Sequence, residues 1–560
     1  EATGGGTFIN SGTIGSTNTD GILIRNNTNA EITNSGTISG AVNAINFAAA
    51  GGAATPAVHT LRLQTGSVLN GNVLGGSNTD NLILEGTGSE SIAKFLNFEN
   101  LTMNGGDWTV TDAGTFSTAA NVQAGTLRVA GSLTTPTLTV QAGGTLAGTG
   151  LVIGAVNNGG NVRVDSGATL TINGTYAQQA GAFLVIGATP SAAGRLSVSG
   201  TATLNGGVQV SAGSGNYALS TQYTILTATG GRTGTFDSVA SNFAFLSPSL
   251  SYDANNVYLT LVRNSIDFAA IGGTFNQRAA GAGVESLGWG GPIYNAVLNL
   301  SAPQARAAFD QLSGEVHASA QNVIIQDSRF LRDASIDRLR SAFDSVGATY
   351  TPVMSYAPGG PVMVPSQSER FAVWGRAFGA WGTTAGDGNA ARLRHDVGGA
   401  FVGADGLLAE TWRLGLVAGY SRSTFRVNDR SSSGASDNYH LGIYGGSQFG
   451  ALAFRSGASM SWHDITTSRL VTFPGFNNSL QGRQKARTAQ VFGEVGYGVR
   501  IDSFGFEPFA NLAYVNLTTD GFSETGGPAA LNVRGKSSGV TFSTLGLRAS
   551  QQFNLGAMSL

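Results

Sequence analysis

No cysteine occurs in the 560 residues, so no disulfide staples the chain and thiolate chemistry is excluded. Charge is scarce: Asp, Glu, Lys and Arg make up 11%, against the ~25% of ordinary soluble domains. With 31 basic and 33 acidic residues the net charge is -2, and no basic stripe is visible. A nucleic-acid partner is therefore excluded, because such binding rests on neutralising phosphates. Proline is sparse (13 residues) beside 82 glycines, a balance that fits neither collagen nor Pro-rich disorder. No apolar run approaches the ~18 residues of a membrane helix. The opening Glu1-Ala2-Thr3-Gly4 has no Met and no signal pattern. It falls inside a repeat, so a missing N-terminal segment is expected. The five histidines (His59, His317, His395, His440 and His463) are scattered, without an i, i+4 pair for zinc. Neither a Gly-x-Ser-x-Gly elbow nor a P-loop is present. The sequence thus predicts no catalytic residue, no metal, no cofactor and no enzyme. Asp165-Ser166-Gly167 reads as a repeat turn.

What is present is repetition. Asn10-Ser11-Gly12-Thr13-Ile14 returns as Asn34-Ser35-Gly36-Thr37-Ile38, a solenoid-like period. Val122-Gln123-Ala124-Gly125-Thr126-Leu127 recurs as Val140-Gln141-Ala142-Gly143-Gly144-Thr145-Leu146, with Val164 to Leu170 as a looser third copy. Alternating apolar residues make strands, and Gly or Asn supply the turns between them. Residues 1–262 are predicted to be a Gly-rich parallel β-helix whose apolar side chains stack from rung to rung.

At 263–369 the alternation stops. Ser301-Ala302-Pro303 reads as a helix start. A second helical run, 319–346, carries Asp327, Arg329, Arg332, Asp333, Asp337, Arg338 and Arg340 on its polar face. From Arg370 onward, roughly ten-residue strands alternate apolar and polar, as in a transmembrane barrel. Arg376, Arg455, Glu494, Arg500, Glu507 and Arg548 are candidate lumen-lining charges. Trp374, Trp381, Trp412, Tyr420, Phe425 and Trp462 suit interfacial girdles. Turns near Glu410, Gly450 and Ser503 are short, whereas 383–392, 428–437, 468–483 and 519–536 read as long polar loops. Long loops face outward in such barrels, so the first strand starts on the periplasmic side. If the solenoid lies outside the cell, the linker must then thread the lumen, a path the charged 319–346 helix is expected to take. About eight complete strands are counted in 370–560, with a ninth beginning near Leu555. The fold class is all-β: an N-terminal parallel β-helix, a helical linker and a C-terminal partial transmembrane antiparallel β-barrel.

The ordered set Val373-Trp374-Gly375-Arg376, Asp387-Gly388-Asn389-Ala390, Gly398 to Asp405, Arg413-Leu414-Gly415, Leu441 to Gly445, Glu507-Pro508-Phe509 and Leu545 to Arg548 resembles the barrel of classical (type Va) autotransporters. Asn276-Gln277 and Leu312 to Ser319 resemble the segment before such barrels. The Val122 and Val140 repeats resemble passenger-associated transport repeats. The resemblance implies a twelve-stranded barrel in the bacterial outer membrane, a pore-spanning helix, and a passenger exported to the cell surface. By that count the barrel of this sequence is truncated. Implied partners are outer-membrane lipid, the barrel-assembly machinery, and host or surface ligands of an adhesin-like or structural passenger. The alternatives are an autotransporter with a protease or esterase domain before residue 1, and a soluble all-β adhesin. Relatives that cut their passenger free do so at an Asn in the pore helix; Asn322 reads instead as a solvated or capping residue.

Overall fold

The computed structural model describes residues 6–25, 29–47, 57–77, 79–213, 215, 217–349, 351–357, 359–367, 371–408, 411–551, 554–555 and 558–559. The chain forms two compact units: residues 1–267 with 294–303, and residues 268–293 with 304–560.

The first unit is a parallel β-solenoid. Its repeats stack on themselves in register: Asn10 on Asn34, Ile14 on Ile38, Val122 on Val140 and Leu127 on Leu146. Stacking of like residues builds continuous apolar columns, which is what a single rung cannot do alone. One column runs Ile32, Leu61, Leu82, Leu101, Ala120, Leu138, Val156, Tyr176, Ala202, and every member is buried. Buried polar residues form a matching ladder at a turn. Asn10 Nδ2 donates to Asn34 Oδ1 (2.8 Å), and Asn34 Nδ2 donates to Ser67 Oγ (2.7 Å). Gly125 shows why the turns need glycine: its φ is +75°, and a Cβ there would lie 2.4 Å from the Gly106 carbonyl oxygen.

Val164 to Leu170 does not stack as a third copy. Val140 faces Asn158 and Leu146 faces Val162, while Val164 and Leu170 pair onward with Ile186 and Leu196. The similarity is local turn chemistry, not rung position. An antiparallel sheet of 220–228, 246–252 and 256–263 ends the solenoid. Such a departure from the parallel ladder is what a terminal cap requires.

In the second unit, eight long strands form one antiparallel, curved sheet: β1 (Phe371–Thr384), β2 (Leu393–Leu408), β3 (Trp412–Val427), β4 (Ser432–Phe449), β5 (Leu452–Phe473), β6 (Phe476–Tyr497), β7 (Phe504–Thr519) and β8 (Lys536–Gln551). A hairpin of 353–357 and 360–364 pairs with the free side of β1 through Met354 and Val373. Residues 554–555 and 558–559 pair only with each other, so no ninth barrel strand starts at Leu555 among the described residues. Strand β5 shows the period-2 logic plainly: Phe454, Met460 and Trp462 face out, while Arg455, Ser461, His463 and Arg469 are buried.

Two expected loops are strand instead. β5 and β6 continue as a hairpin to Pro474-Gly475, where Gly475 has φ +80°. Pro followed by a positive-φ Gly is type II turn chemistry, and the 22-residue strands absorb most of 468–483. Likewise β4 begins at Ser432, leaving only 428–431 as the connection. The segments 385–392 and 520–535 remain the longer connections at that end of the sheet. The turn expected near Glu410 lies outside the described residues.

Candidate functional site

The concave face of the sheet holds helices. Ahead of it, α1 (Phe275–Leu287) opens with a capping box in which Thr274 and Gln277 satisfy each other's backbone N–H groups. Asn276 N–H donates to Asn389 Oδ1 in the β1–β2 loop (2.8 Å). After α2 (Pro292–Leu298) and α3 (Ala302–Leu312) come α4 (Glu315–Asp327) and α5 (Arg329–Ala342). The single helix expected over 319–346 is therefore two, meeting at Ser328.

Both helices pack into the sheet's interior. Val316, Ala320, Val323 and Ile324 of α4 cluster with Leu393, Phe425, Val427, Ile465, Ala486 and Leu517 from five strands. Leu331, Ile336 and Leu339 of α5 cluster with Trp374, Phe401, Val417, Tyr444 and Phe492. The inner wall is thus part apolar, and the helices present apolar as well as charged side chains to it. Trp374 and Phe425 are corrected accordingly. They are buried inside, at 7% and 1% exposure, and Trp374 Nε1 donates to Tyr444 Oη (2.6 Å). Their position follows from parity: Trp374 lies two residues from Ala372, which pairs with the inward-facing Asp405. Trp381, Trp412, Tyr420 and Trp462 are on the outer, exposed face.

The buried charges gather into three groups. In the first, Arg455 Nη1 donates to Glu494 (2.8 Å) and Glu507 (2.9 Å), and Arg548 donates to both carboxylates (2.8 Å each). Arg455 also reaches Ser345, just past α5 (2.8 Å). In the second, Asp405 accepts from Arg338 of α5 (2.7 and 2.9 Å), from Tyr444 Oη (2.8 Å) and from Arg413. The third lies where α4 begins. Glu524, in the β7–β8 loop, accepts from Arg469 (2.8 and 2.7 Å) and hydrogen-bonds His317 (2.8 Å). Glu315 accepts from Arg430 (3.1 Å) and from the Ala391 N–H.

The remaining candidates are placed as follows. Asp327 accepts from Ser423 (2.6 Å) and Arg332 donates to Gln490 (3.4 Å). Arg340 donates to the Val346 carbonyl (2.7 Å) and to Asp337, which also accepts from Arg376 (2.7 Å). Arg329 lies over the Phe330 ring, and both Arg329 and Asp333 are exposed. Arg500 is at the rim, its side chain 61% exposed and bonded to Asp344. Asn322 is an exposed residue within α4. Sequence reasoning missed Asp405, Arg413, Arg469 and Glu524. The first three carried a readable signal, a charge on the inward parity of a strand. Glu524, in an irregular loop, carried none.

The Glu524 contact has a pH signature. Burial alone would raise the carboxyl, but hydrogen bonds from His317 and Arg469 hold it near 2, below its ordinary 4.5. A depressed carboxyl pKa stabilises the fold above the unfolded value and loses that stabilisation as pH falls through the folded value. The shift corresponds to about 3 kcal/mol. Pepsin cleavage of the 520–535 loop in the detergent-extracted protein is expected to rise as pH drops from about 4.5 to about 2. In Glu524→Gln the loop is expected to be cut readily throughout that range.

The histidines are held by structural partners. His440 hydrogen-bonds Ser421 and Ser461, and His463 hydrogen-bonds Asn438 and Thr488. His59 is buried against Asp80 and stacks on Phe47. Ser166 bonds Thr189 and the Ala192 carbonyl within a turn. Among the described residues no Ser–His–Asp arrangement is assembled, and no group of three or more His, Asp or Glu could hold a metal.

Comparison with known proteins gives three findings. Residues 373–560 match the autotransporter beta-domain family. Two proteins named extracellular serine protease, both from Serratia marcescens, are similar to the chain. One is 32% identical over 384 residues and the other 31% over 380, covering 61% and 60% of this chain and 35% of each relative. The chain thus spans about a third of the length of the curated relatives it matches. Among solved structures, the translocator domain of autotransporter NalP from Neisseria meningitidis aligns with a TM-score of 0.30 at 17% identity, over 41% of this chain and 73% of that one. The expectation of a protein without enzymatic activity is overturned by the two relatives, whose name is that of a protease. Residues 373–560 are an autotransporter β-domain and the first unit is a parallel β-solenoid, the make-up of a classical autotransporter anchored in the outer membrane with its passenger on the cell surface.

Proposed function

We propose that this chain is the stalk, plug and membrane anchor of an autotransporter that displays a serine protease. The observation that carries the reading is the 31–32% identity to two extracellular serine proteases over about 60% of the chain. The solenoid supplies a stacked, disulfide-free shaft, a form that can fold progressively from one end. The α4–α5 segment supports the role of plug. Its apolar side chains pack on the inner wall, and Arg338 and Glu315 are tied to strand and loop residues by charge-assisted bonds. The catalytic serine belongs to a region of the protein beyond these 560 residues.

The test uses cells expressing the whole protein with its solenoid displayed. A serine-directed fluorophosphonate probe is expected to label the surface protein at one site, and peptide mapping is expected to place that site outside the present sequence. Surface display without labelling would sink the protease reading and leave an adhesin-like or structural passenger.

A further inference from the structure

The outer face of the sheet carries cations that the export role does not use. On β3 the outward residues are Leu414, Leu416, Ala418 and Tyr420, followed by polar residues up to Arg426. Tyr420, Tyr439 and Trp462 lie side by side across β3, β4 and β5, an exposed aromatic row of the kind that marks a membrane–water boundary. Next in that row, on β6, is Arg487, facing Trp462. Lys485 and Arg483 follow on the same outward face, all three exposed. On the other side of the row Arg426 stands directly opposite Arg394, both exposed. Together with Arg392 they line a cavity of about 440 Å³.

Like charges placed directly across a strand pair oppose sheet formation. Among the described residues none of these cations makes a hydrogen bond or ion pair. Acidic neighbours do not cancel them: Asp396 accepts from Thr424 (3.4 Å), Asp464 faces Lys485, and Asp429 borders the cavity. Arg422 of the same face is already paired with Asp437 (2.9 Å); the six cations without an ion pair stand beside the three carboxylates Asp396, Asp464 and Asp429. An anion between Arg394 and Arg426 would remove the repulsion, and guanidinium forks match phosphate oxygens.

The height of the cations narrows the ligand. Arg487 pairs across from Trp462 at the end of the aromatic row, whereas Arg426 is six residues beyond Tyr420, roughly 20 Å along the strand, or about 15 Å vertically at barrel tilt. A glycerophospholipid headgroup layer is only about 5–8 Å deep. We infer that this rim binds the phosphorylated sugar headgroup of an outer-leaflet glycolipid, with the β6 stripe holding phosphates near the acyl boundary and the Arg394–Arg426 pair holding anionic groups farther out. This rests on the outer-membrane location and not on the protease reading.

The test uses the full chain extracted in detergent and bound to phosphatidylcholine vesicles doped with lipopolysaccharide. Glycolipid retained per protein is expected to fall at least tenfold in Arg394→Gln/Arg426→Gln and in Arg483→Gln/Lys485→Gln/Arg487→Gln, and to be unchanged in Arg500→Gln. Heat-modifiable gel mobility checks that each variant is folded. If the multiple variants do not fold, competition on the unaltered protein decides. Phosphorylated lipopolysaccharide is expected to compete, and the same glycolipid stripped of phosphate is not. Equal competition by the stripped glycolipid, by phosphatidylglycerol or by millimolar inorganic phosphate would overturn the assignment, as would undiminished retention by folded variants.

Discussion

Replacing Arg455 by methionine is expected to destabilise the barrel unit by about 3–5 kcal/mol, the cost of breaking a buried ion pair from one side. Arg455 is fully buried on β5 and bonds Glu494 of β6 and Glu507 of β7. Removing it leaves two buried carboxylates with Arg548 as their shared cation. Two like charges so close cannot both stay ionised cheaply, so one must take up a proton or admit water. The check is the urea midpoint of heat-modifiable mobility in detergent. A double variant, Arg455→Met/Glu494→Gln, is expected to recover much of the loss, because the remaining carboxylate, Glu507, keeps Arg548 as its partner and neither is left unpaired. A single variant indistinguishable from the parent would show that water, not Arg455, satisfies the two glutamates.

Asp405→Ala is expected to cost a similar amount, about 3–5 kcal/mol, but with a different local consequence. Asp405 is the shared acceptor of Arg338 on α5, Arg413 on β3 and Tyr444 on β4. Its loss takes the shared carboxylate from two buried guanidiniums, leaving Arg338 with the Ser366 carbonyl, and loosens α5 from the wall. Trypsin is therefore expected to cut at Arg338 or Arg340 in the variant, where the parent is protected by burial. Protection equal to the parent's would mean that the apolar cluster around Leu339 and Trp374 holds the helix unaided.

The two variants touch residues of unequal legibility. Arg455, Glu494, Glu507 and Arg548 could be chosen from sequence because each is a charge opposed to apolar neighbours in an alternating strand. Arg376 and Arg500 satisfy the same rule, yet their side chains are 43% and 61% exposed. Arg376 is on β1, at an edge of the main sheet, and Arg500 is at a strand end. Periodicity assigns a face, but whether that face is covered depends on neighbouring strands and helices. Trp374 shows the converse. Its chemistry suggested a lipid interface, and its parity placed it inside against Tyr444.

The solenoid teaches the same distinction at longer range. Stacking of Val122 on Val140 and Leu127 on Leu146 follows directly from an 18- or 19-residue spacing of like side chains. Val164 to Leu170 shares their local pattern but sits out of register, because rung length changes after Gly148 and local similarity does not count the residues in a turn.

The sequence by itself determined the class of structure. Apolar repeats spaced for stacking allow only a solenoid, and two-residue alternation over strand-length segments suits only a sheet with unlike faces. The tertiary structure decided the partnerships. Arg455 meets Glu507 across 52 positions and His317 meets Glu524 across 207, contacts fixed by strand register and by the seating of α4. Such pairings leave no local trace, because what selects a partner for a buried charge is the three-dimensional closure of the wall around it.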